Sequence, residues 1–160
     1  MDGLSIYPIQ IICIKIHQDF LAVDFLCIFE ILYEIKYPME NNFEVNVHHI
    51  TSKDSDQNLG SFVFPAHKKG KFRTLLKIHL PKSNDLIEWE EIVEVTAILF
   101  VISCKNKILI KIGYYLSNQL MYNNKINSNQ SFEIDNIFRK ILSDKPRITY
   151  FPLIKNYNGQ

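Results

Sequence analysis

Histidine and glutamate side chains are the first candidates for catalysis or metal binding in this 160-residue chain. The histidine pair is His48-His49, and adjacent residues of a strand point to opposite faces of a sheet. The two imidazoles therefore cannot share a metal ion, and we expect one to face outward and the other to be half-buried. Glu88, Glu90 and Glu91 could perform acid–base chemistry as paired carboxylates, but a solvated helix face is the commoner explanation.

The cysteines and one basic segment are the next candidates. Cys13, Cys27 and Cys104 are odd in number and far apart, which argues against a disulfide framework or a zinc cluster. We expect buried structural thiols in a reducing compartment. Residues 67–71, His-Lys-Lys-Gly-Lys, could contact phosphate, but no aromatic platform accompanies them, so a solvated loop is the simpler interpretation. These patterns predict no enzyme, no cofactor and no metal.

Composition places the chain among single globular domains. Its 160 residues are 47% hydrophobic, which is enough to bury a core without disulfide bonds or metal ions. Its net charge of +1 does not indicate the kind of partner it binds. Residues 20–33 are very apolar, but Asp24 and Glu30 interrupt them, so buried strand is expected there rather than a membrane span. The first three residues lack the basic region of a signal peptide. We expect a core domain over residues 1–155 and a frayed end over 156–160.

Most of the chain has the pattern of short strands separated by turns. Residues 86–92 have room for only one or two helical turns, and the spacing of Ile134, Ile137, Phe138 and Ile141 predicts a short amphipathic helix. The architecture expected is all-β, an immunoglobulin-like β-sandwich with short helices in the connections. The predicted strands are residues 10–17, 29–35, 43–47, 61–64, 71–80, 93–102, 108–116 and 148–154.

The strands before and after the turn at 105–107 should form a hairpin whose two faces differ. Alternation places Thr96, Ile98, Phe100, Ile110, Ile112 and Tyr114 on one face and Val93, Val95, Ala97, Lys111, Gly113 and Tyr115 on the other. Because both sets are largely apolar, the second face cannot be an ordinary solvent-exposed surface. Either another layer covers the second set or it is an exposed patch for a partner, and the pattern alone favours coverage within the fold.

Three segments carry a resemblance to a known family. They read VTAIL at 95–99, IKIGYY at 110–115 and ILSDKPRITYF at 141–151. Together with FEI at 29–31, FE at 43–44 and the Asp-Gln-x-Leu of 56–59, they resemble the anti-silencing function family of histone chaperones. The similarity keeps the family's order over residues 29–154, and its motifs are specific in combination.

The resemblance implies a fold and an activity. The fold would be an immunoglobulin-like β-sandwich. The activity would be to bind a dimer of histones H3 and H4 in the nucleus, to block the contact between two H3 chains, and to hand histones over for nucleosome assembly and disassembly. A helix of H3 would pack on the concave sheet face, and the tail of H4 would add a strand at a sheet edge. Other chromatin-assembly chaperones are possible partners, direct nucleic-acid or membrane binding is not expected, and the free protein would be a monomer.

The resemblance also implies the binding residues. The H3 surface would comprise Asp56, Glu91, Val93, Val95, Ala97, Lys111 and Tyr115, and the H4 strand would lie against Arg147, Ile148 and Thr149. Asn41 and Asn42 stand where the family has an acidic pair that receives arginine-bearing peptides of deposition chaperones, which puts that recognition in doubt.

Two further departures from the family concern the H3 surface. Ala97 replaces the usual valine, a loss of about 1 kcal/mol of apolar contact. Lys111 replaces an arginine, and lysine cannot form a planar bidentate fork.

The alternative to a histone chaperone is a generic immunoglobulin-like interaction module unrelated to histones, and an enzyme, which would need a closed polar pocket, comes third.

Overall fold

The structure is a computed structural model that describes residues 3–22, 26–51, 56–80, 86–87, 94–120, 132–133, 137–144 and 146–155. Within these ranges the regular structure is entirely β, and no helix there is long and apolar enough to cross a membrane. Residues 1–2 and the predicted frayed end, residues 156–160, lie outside the described residues. The strands are β1 (Leu4–Ile6), β2 (Ile9–Ile16), β3 (Phe20–Ala22), β4 (Leu26–Ile35), β5 (Phe43–Ile50), β6 (Gln57–Phe64), β7 (Gly70–His79), β8 (Leu86–Ile87), β9 (Val95–Cys104), β10 (Lys107–Leu120), β11 (Phe132–Glu133), β12 (Ile137–Ile141), β13 (Arg147–Tyr150) and β14 (Leu153–Lys155).

Two antiparallel sheets form the layers of a sandwich. The seven-stranded sheet has the order β3-β12-β10-β9-β5-β6, and β13 pairs with β10 beside β12. The three-stranded sheet has the order β2-β4-β7. Two short pairs, β1 with β14 and β8 with β11, complete the described strands. The predicted all-β sandwich is confirmed.

Aromatic side chains join the two sheets across the core. The ring centroid of Phe29 on β4 lies 4.8 Å from that of Phe100 on β9 and 5.7 Å from that of Tyr114 on β10. Tyr33 of β4 stacks on Phe64 of β6 at 4.7 Å. Such aromatic pairs stabilise the fold in addition to the stabilisation that comes from burying their apolar surface. The inward set predicted by alternation is confirmed, because Ile98, Phe100, Ile110, Ile112 and Tyr114 are all buried.

The β9–β10 hairpin is closed by two residues in the left-handed region, Lys105 with a φ of 48° and Asn106 with a φ of 62°. Positive φ at both central positions gives the turn the twist of the flanking strands. The predicted hairpin is therefore confirmed. β10 continues past its predicted end to Leu120, because its last five residues pair with β12.

Three predicted elements are wrong in detail. Residues 137–141 form β12 rather than a helix, because pairing with β10 satisfies their backbone and buries Ile141. The predicted last strand is divided into β13 and β14 around Pro152, which has no N–H to donate. Residues 86–87 pair with β11 as strand instead of starting a helical turn, and residues 88–93 lie outside the described part of the chain.

Candidate functional site

An apolar row crosses the outer face of the seven-stranded sheet. The register places Ile50 of β5, Ala97 of β9 and Tyr115 of β10 side by side. Tyr115 is 51% exposed, and Val95, two residues before Ala97 on the same face, is 58% exposed. The pattern-based expectation that another layer covers this face is wrong, because large apolar side chains there are open to solvent.

A hollow lies beside the row, at Gly113. This residue stands between Lys111 and Tyr115 on the outward face of β10, opposite Leu99 of β9 and Arg147 of β13. A Cβ placed on Gly113 would meet no atom within 4 Å. Neither close packing nor a positive φ requires glycine here, so its effect is to leave open space in which a partner's backbone or side chain can approach.

Two charged groups border the apolar row. The Lys111 ammonium lies 5.9 Å from the ring centroid of Phe151, within the range of a cation–π interaction. Asp56 Oδ1 lies 3.1 Å from Nδ1 of His48, and 63% of the Asp56 side chain is exposed. Both groups can still form charge-assisted hydrogen bonds with a partner at the rim.

Sequence reasoning missed His48 and Ile50 as members of this surface. The signal was available, because Phe43, Val45 and Val47 are buried at alternate positions of β5, which turns 48 and 50 outward. The prediction that the two histidines point to opposite faces is confirmed, but His49 is buried more deeply than expected.

His49 is buried on the inner face of the seven-stranded sheet, behind the apolar row. Its Nε2 lies 2.9 Å from Oγ1 of Thr96, between the outward residues Val95 and Ala97. Burial lowers the pKa of His49 to about 4, and the Arg139 charge adds to that shift while Glu94 opposes it. The imidazole is therefore neutral at neutral pH and ties β5 to β9 through a neutral contact.

β13 offers an edge for strand addition. Phe151 N donates to Leu109 O at 2.8 Å, and Thr149 lies opposite Lys111. Because hydrogen-bonded and non-hydrogen-bonded pairs alternate in an antiparallel ladder, Arg147 and Thr149 bond to β10. The backbone groups of Ile148 and Tyr150 consequently point away from β10, and none of the described strands pairs with that side of β13.

Asn41 and Asn42 lie at the far end of the same sheet. The Cys104 thiol donates to Asn41 O at 3.7 Å, which fixes the pair near the end of β9. Ala97 is seven residues earlier on β9, so the two regions are about 23 Å apart. Glu40, the carboxylate beside Asn41, lies 3.9 Å from the Lys105 ammonium. This end of the sheet therefore lacks a strong negative field.

The remaining candidate residues fall into two groups. Glu91 and Val93 lie outside the described residues, as does the rest of the acidic cluster. Cys27 and Cys104 are buried, and burial raises the pKa of the Cys27 thiol to about 12. Cys13 is exposed, so the expectation of a buried thiol is wrong there.

A cleft of about 550 Å³ lies away from the apolar row, between β1, the start of β2 and the end of β13. Its lining includes Tyr7, Tyr37, Tyr150 and Lys36, and none of the described lining residues carries a carboxylate or an imidazole. Among the residues that the structure describes, no three His, Cys, Asp or Glu side chains come together to hold a metal ion. The exposed apolar row, by contrast, has the character of a binding surface.

Comparisons with known proteins agree with this geometry. A family model described as "ASF1 like histone chaperone" matches residues 7–156. The chain is 32% identical over 138 residues to "Histone chaperone ASF1" of Kluyveromyces lactis, covering 82% of this chain and 49% of that protein. "Histone chaperone ASF1" of Candida albicans is 32% identical over 130 residues, which cover 79% of this chain and 52% of that protein.

A relative of similar length gives the same result. "Histone chaperone asf1" of Dictyostelium discoideum is 24% identical over 149 residues, which cover 91% of this chain and 96% of that protein. The chain spans about half the length of the fungal relatives it matches. A family model that covers nearly all of the residues, supported by these relatives, leads to one conclusion: the chain belongs to the ASF1 like histone chaperone family.

Proposed function

We propose that this chain binds a dimer of histones H3 and H4 and covers the H3 surface through which two such dimers would otherwise join. The observation that carries the proposal is the apolar row of Ile50, Ala97 and Tyr115, extended by Val95, in which Ala97 is half-buried and the other three side chains are exposed. A helix whose apolar stripe packs on this row would bury the exposed area, and helix-in-groove packing is a common recognition mode. Histones held in this way can be handed over for nucleosome assembly or taken up during disassembly.

Charges at the rim would set the register of the helix. Lys111 suits a carboxylate and Asp56 suits a cationic side chain or a free N–H group of the partner. The exposed position of the Asp56 carboxylate allows it to leave His48 for such a partner. Glu91 and Val93 belong to the same proposed surface by position in the sequence.

Complex formation with histones tests the proposal directly. Refolded H3–H4 is mixed with the protein, and the mass of the complex is measured by light scattering after size exclusion. We expect one copy of this chain per H3–H4 dimer and a monomer when the protein is free. A complex that contains an H3–H4 tetramer, or no complex at all, contradicts the proposed surface.

We propose a second histone contact at β13, where the tail of H4 adds a strand along Arg147, Ile148 and Thr149. The support is the edge geometry, since the outward backbone groups belong to Ile148 and Tyr150. Each added backbone hydrogen bond contributes about 1 kcal/mol. Amide exchange at Ile148 and Tyr150 should slow when histones bind, whereas the Thr149 amide, already bonded to β10, should change little.

Removing the H4 tail isolates this contact. The deletion should abolish the new protection at Ile148 and Tyr150 but preserve the protection at Val95 and Ala97. If exchange at Ile148 and Tyr150 is already slow in the free protein and unchanged by histones, β13 is an internal strand and the H4 contact is wrong.

We place this activity in the nucleus and expect no catalysis, because the apolar row offers a surface for a partner and the Asp56–His48 pair lies at its exposed rim rather than in a closed polar pocket. Peptides of other chromatin-assembly chaperones would meet Asn41 and Asn42, where the field is weak. Imaging of the tagged full chain tests the compartment, and exclusion from the nucleus contradicts this assignment.

A further inference from the structure

A row of cationic side chains follows β7 on the outer face of the three-stranded sheet. Strand alternation turns Lys71, Arg73, Leu75, Lys77 and His79 outward, and all five are exposed. The exposed loop residues Lys68 and Lys69 immediately precede the strand. We define the cationic ridge as Lys68, Lys69, Lys71, Arg73 and Lys77.

Two carboxylates of β4 lie beside the ridge without cancelling its charge. Glu34 is opposite Lys71 in the register, and Arg73 Nε donates to Glu30 Oε1 at 2.8 Å. The same Glu30 also contacts His17 Nε2 at 3.0 Å. Among the described residues of β4, β7 and the loop before β7, five cations against two carboxylates leave a local charge of about +3, although the whole chain carries only +1.

The shape of the ridge is linear, with a repeat set by the strand. Alternate residues of a strand are about 6.7 Å apart, so Lys71 to His79 spans about 27 Å. Phosphates of one DNA strand succeed one another by about 3.4 Å along the helix axis. A line of cations of this length can reach several phosphates of a duplex, and Leu75 is one uncharged position within it.

We infer that the cationic ridge binds the phosphodiester backbone of double-stranded nucleic acid. This differs from the sequence-based expectation of no direct nucleic-acid contact, which considered residues 67–71 as an isolated loop. The fold extends that loop into a strand that adds Arg73 and Lys77 on one line. None of the five outward positions of β7 is Phe, Tyr or Trp, and the one imidazole, His79, stands at the end of the strand, so the ridge lacks a row of stacking side chains and should favour duplexes over single strands.

The ridge and the apolar row lie on opposite outer faces of the sandwich, with the core between them. A duplex on β7 would therefore leave Ala97 and Tyr115 accessible. This inference goes beyond the proposed histone function and does not depend on it.

A different explanation of the same residues is protection of a sheet edge. β7 is the edge strand of its sheet, and lysines on edges prevent pairing with other chains. Protection requires only charge and would leave nucleic-acid binding absent, whereas the inferred contact predicts a salt-dependent affinity that tracks the number of ridge cations.

The test uses the full chain and a fluorescent 20-base-pair DNA duplex, with anisotropy measured between 50 and 200 mM salt. For three to four phosphate contacts, the affinity should fall by about 40- to 150-fold over this range. Lys71→Gln combined with Lys77→Gln should reduce the slope of log affinity against log salt by about 1.8. The double change to arginine at the same positions should retain the slope, which separates charge from folding damage.

The matched control is Lys107→Gln combined with Lys140→Gln, two exposed lysines of the seven-stranded sheet. Equal slopes for the ridge and control variants would overturn the inference. So would aggregation of the ridge variant with unchanged DNA affinity, or displacement of DNA by polyglutamate at equal charge concentration. An RNA duplex bound with the same slope would support recognition of the shared phosphodiester chemistry, and unchanged histone binding by the ridge variant would show that the two faces act separately.

Discussion

The two outer faces of the sandwich expose similar strands but have different chemistry. On the three-stranded sheet, Glu30 of β4 contacts Arg73 of β7 and His17, the residue that follows β2, so one ionic row crosses all three strands. On the seven-stranded sheet, the equivalent central row is Ile50, Ala97 and Tyr115. The first row satisfies its own charges, whereas the second leaves apolar area in water.

The difference shows why exposure by itself does not identify an interface. Leu75 on the three-stranded sheet is 48% exposed, close to the 51% of Tyr115. Leu75 stands between Arg73 and Lys77, however, while Tyr115 adjoins Ala97 and the hollow at Gly113. Single exposed apolar residues are normal on soluble proteins, but contiguous ones indicate a partner.

The largest expected effect is the loss of histone binding on Ala97→Arg. A guanidinium in the middle of the apolar row would be buried by the partner without a matching anion, so the affinity should fall by at least about 100-fold. The matched control is Leu75→Arg, which adds the same group on the opposite face and should leave histone binding unchanged. Pull-down and thermal melting are measured together.

The melting temperatures decide what a loss of binding means. A small shift for both variants supports the comparison between the faces. A large drop confined to Ala97→Arg would show that Ala97 belongs to the core, and a loss of binding by Leu75→Arg would show that the wrong face has been chosen.

Gly113→Leu is the next largest expected effect, and it separates binding from stability. A Cβ at position 113 would meet no atom within 4 Å, and replacing glycine inside a strand reduces the entropy lost on folding, so the free energy of unfolding should rise by about 0.5 kcal/mol. The same side chain would occupy the space of the partner and weaken histone binding about 10- to 100-fold. Denaturant unfolding and titration with H3–H4 check the two signs, and a variant that binds normally shows that the partner does not approach Gly113.

The sequence predicted the surface better than its surroundings, for a physical reason. Alternation within a hairpin is fixed by strand geometry, so the outward direction of Val95, Ala97 and Tyr115 followed from local spacing. Whether that face is covered depends on other layers, and the pattern alone gave the wrong answer. The family resemblance supplied what local pattern could not.

Two misses show where local signals fail. Ile137, Phe138 and Ile141 match a helical period and a strand equally well over five residues, and only the long-range pairing with β10 decides between them. The cationic character of β7 was missed because Lys71, Arg73 and Lys77 belong to one face only after the strand and its sheet are formed. Charge counts over the whole chain average such a face to nearly zero.

The two faces should also differ in their dependence on pH. The pKa of His49, lowered from 6.5 to about 4, means that the folded state disfavours its protonation, so its contribution to stability is complete above pH 6.5 and is lost as the pH falls toward 4. On the other face, hydrogen bonds from Arg73 and His17 lower the pKa of Glu30 from 4.5 to about 2. The stability that Glu30 contributes is therefore lost as the pH falls from 4.5 to 2.

Denaturant unfolding at several pH values tests this separation. Between pH 6.5 and 5 the free energy of unfolding should fall by about 1–2 kcal/mol because of His49. His49→Gln should flatten this upper window, and the control His79→Gln, at an exposed position of β7, should not. An identical pH profile for wild type and His49→Gln would show that another group is responsible.

The smallest expected effect concerns the far end of the seven-stranded sheet, where Asn42→Asp restores one charge of the family's acidic pair. Exposed ion pairs contribute about 0.2–1 kcal/mol, so an arginine-rich peptide of a deposition chaperone should bind up to about 5-fold more tightly. Gln10→Glu adds the same charge on the exposed face of β2 in the other sheet and serves as the control. Equal gains for both variants would reflect net charge alone. No gain for Asn42→Asp would mean either that charge at this position is irrelevant to peptide binding or that Glu40, despite its contact with Lys105, or Glu44 already provides the negative group.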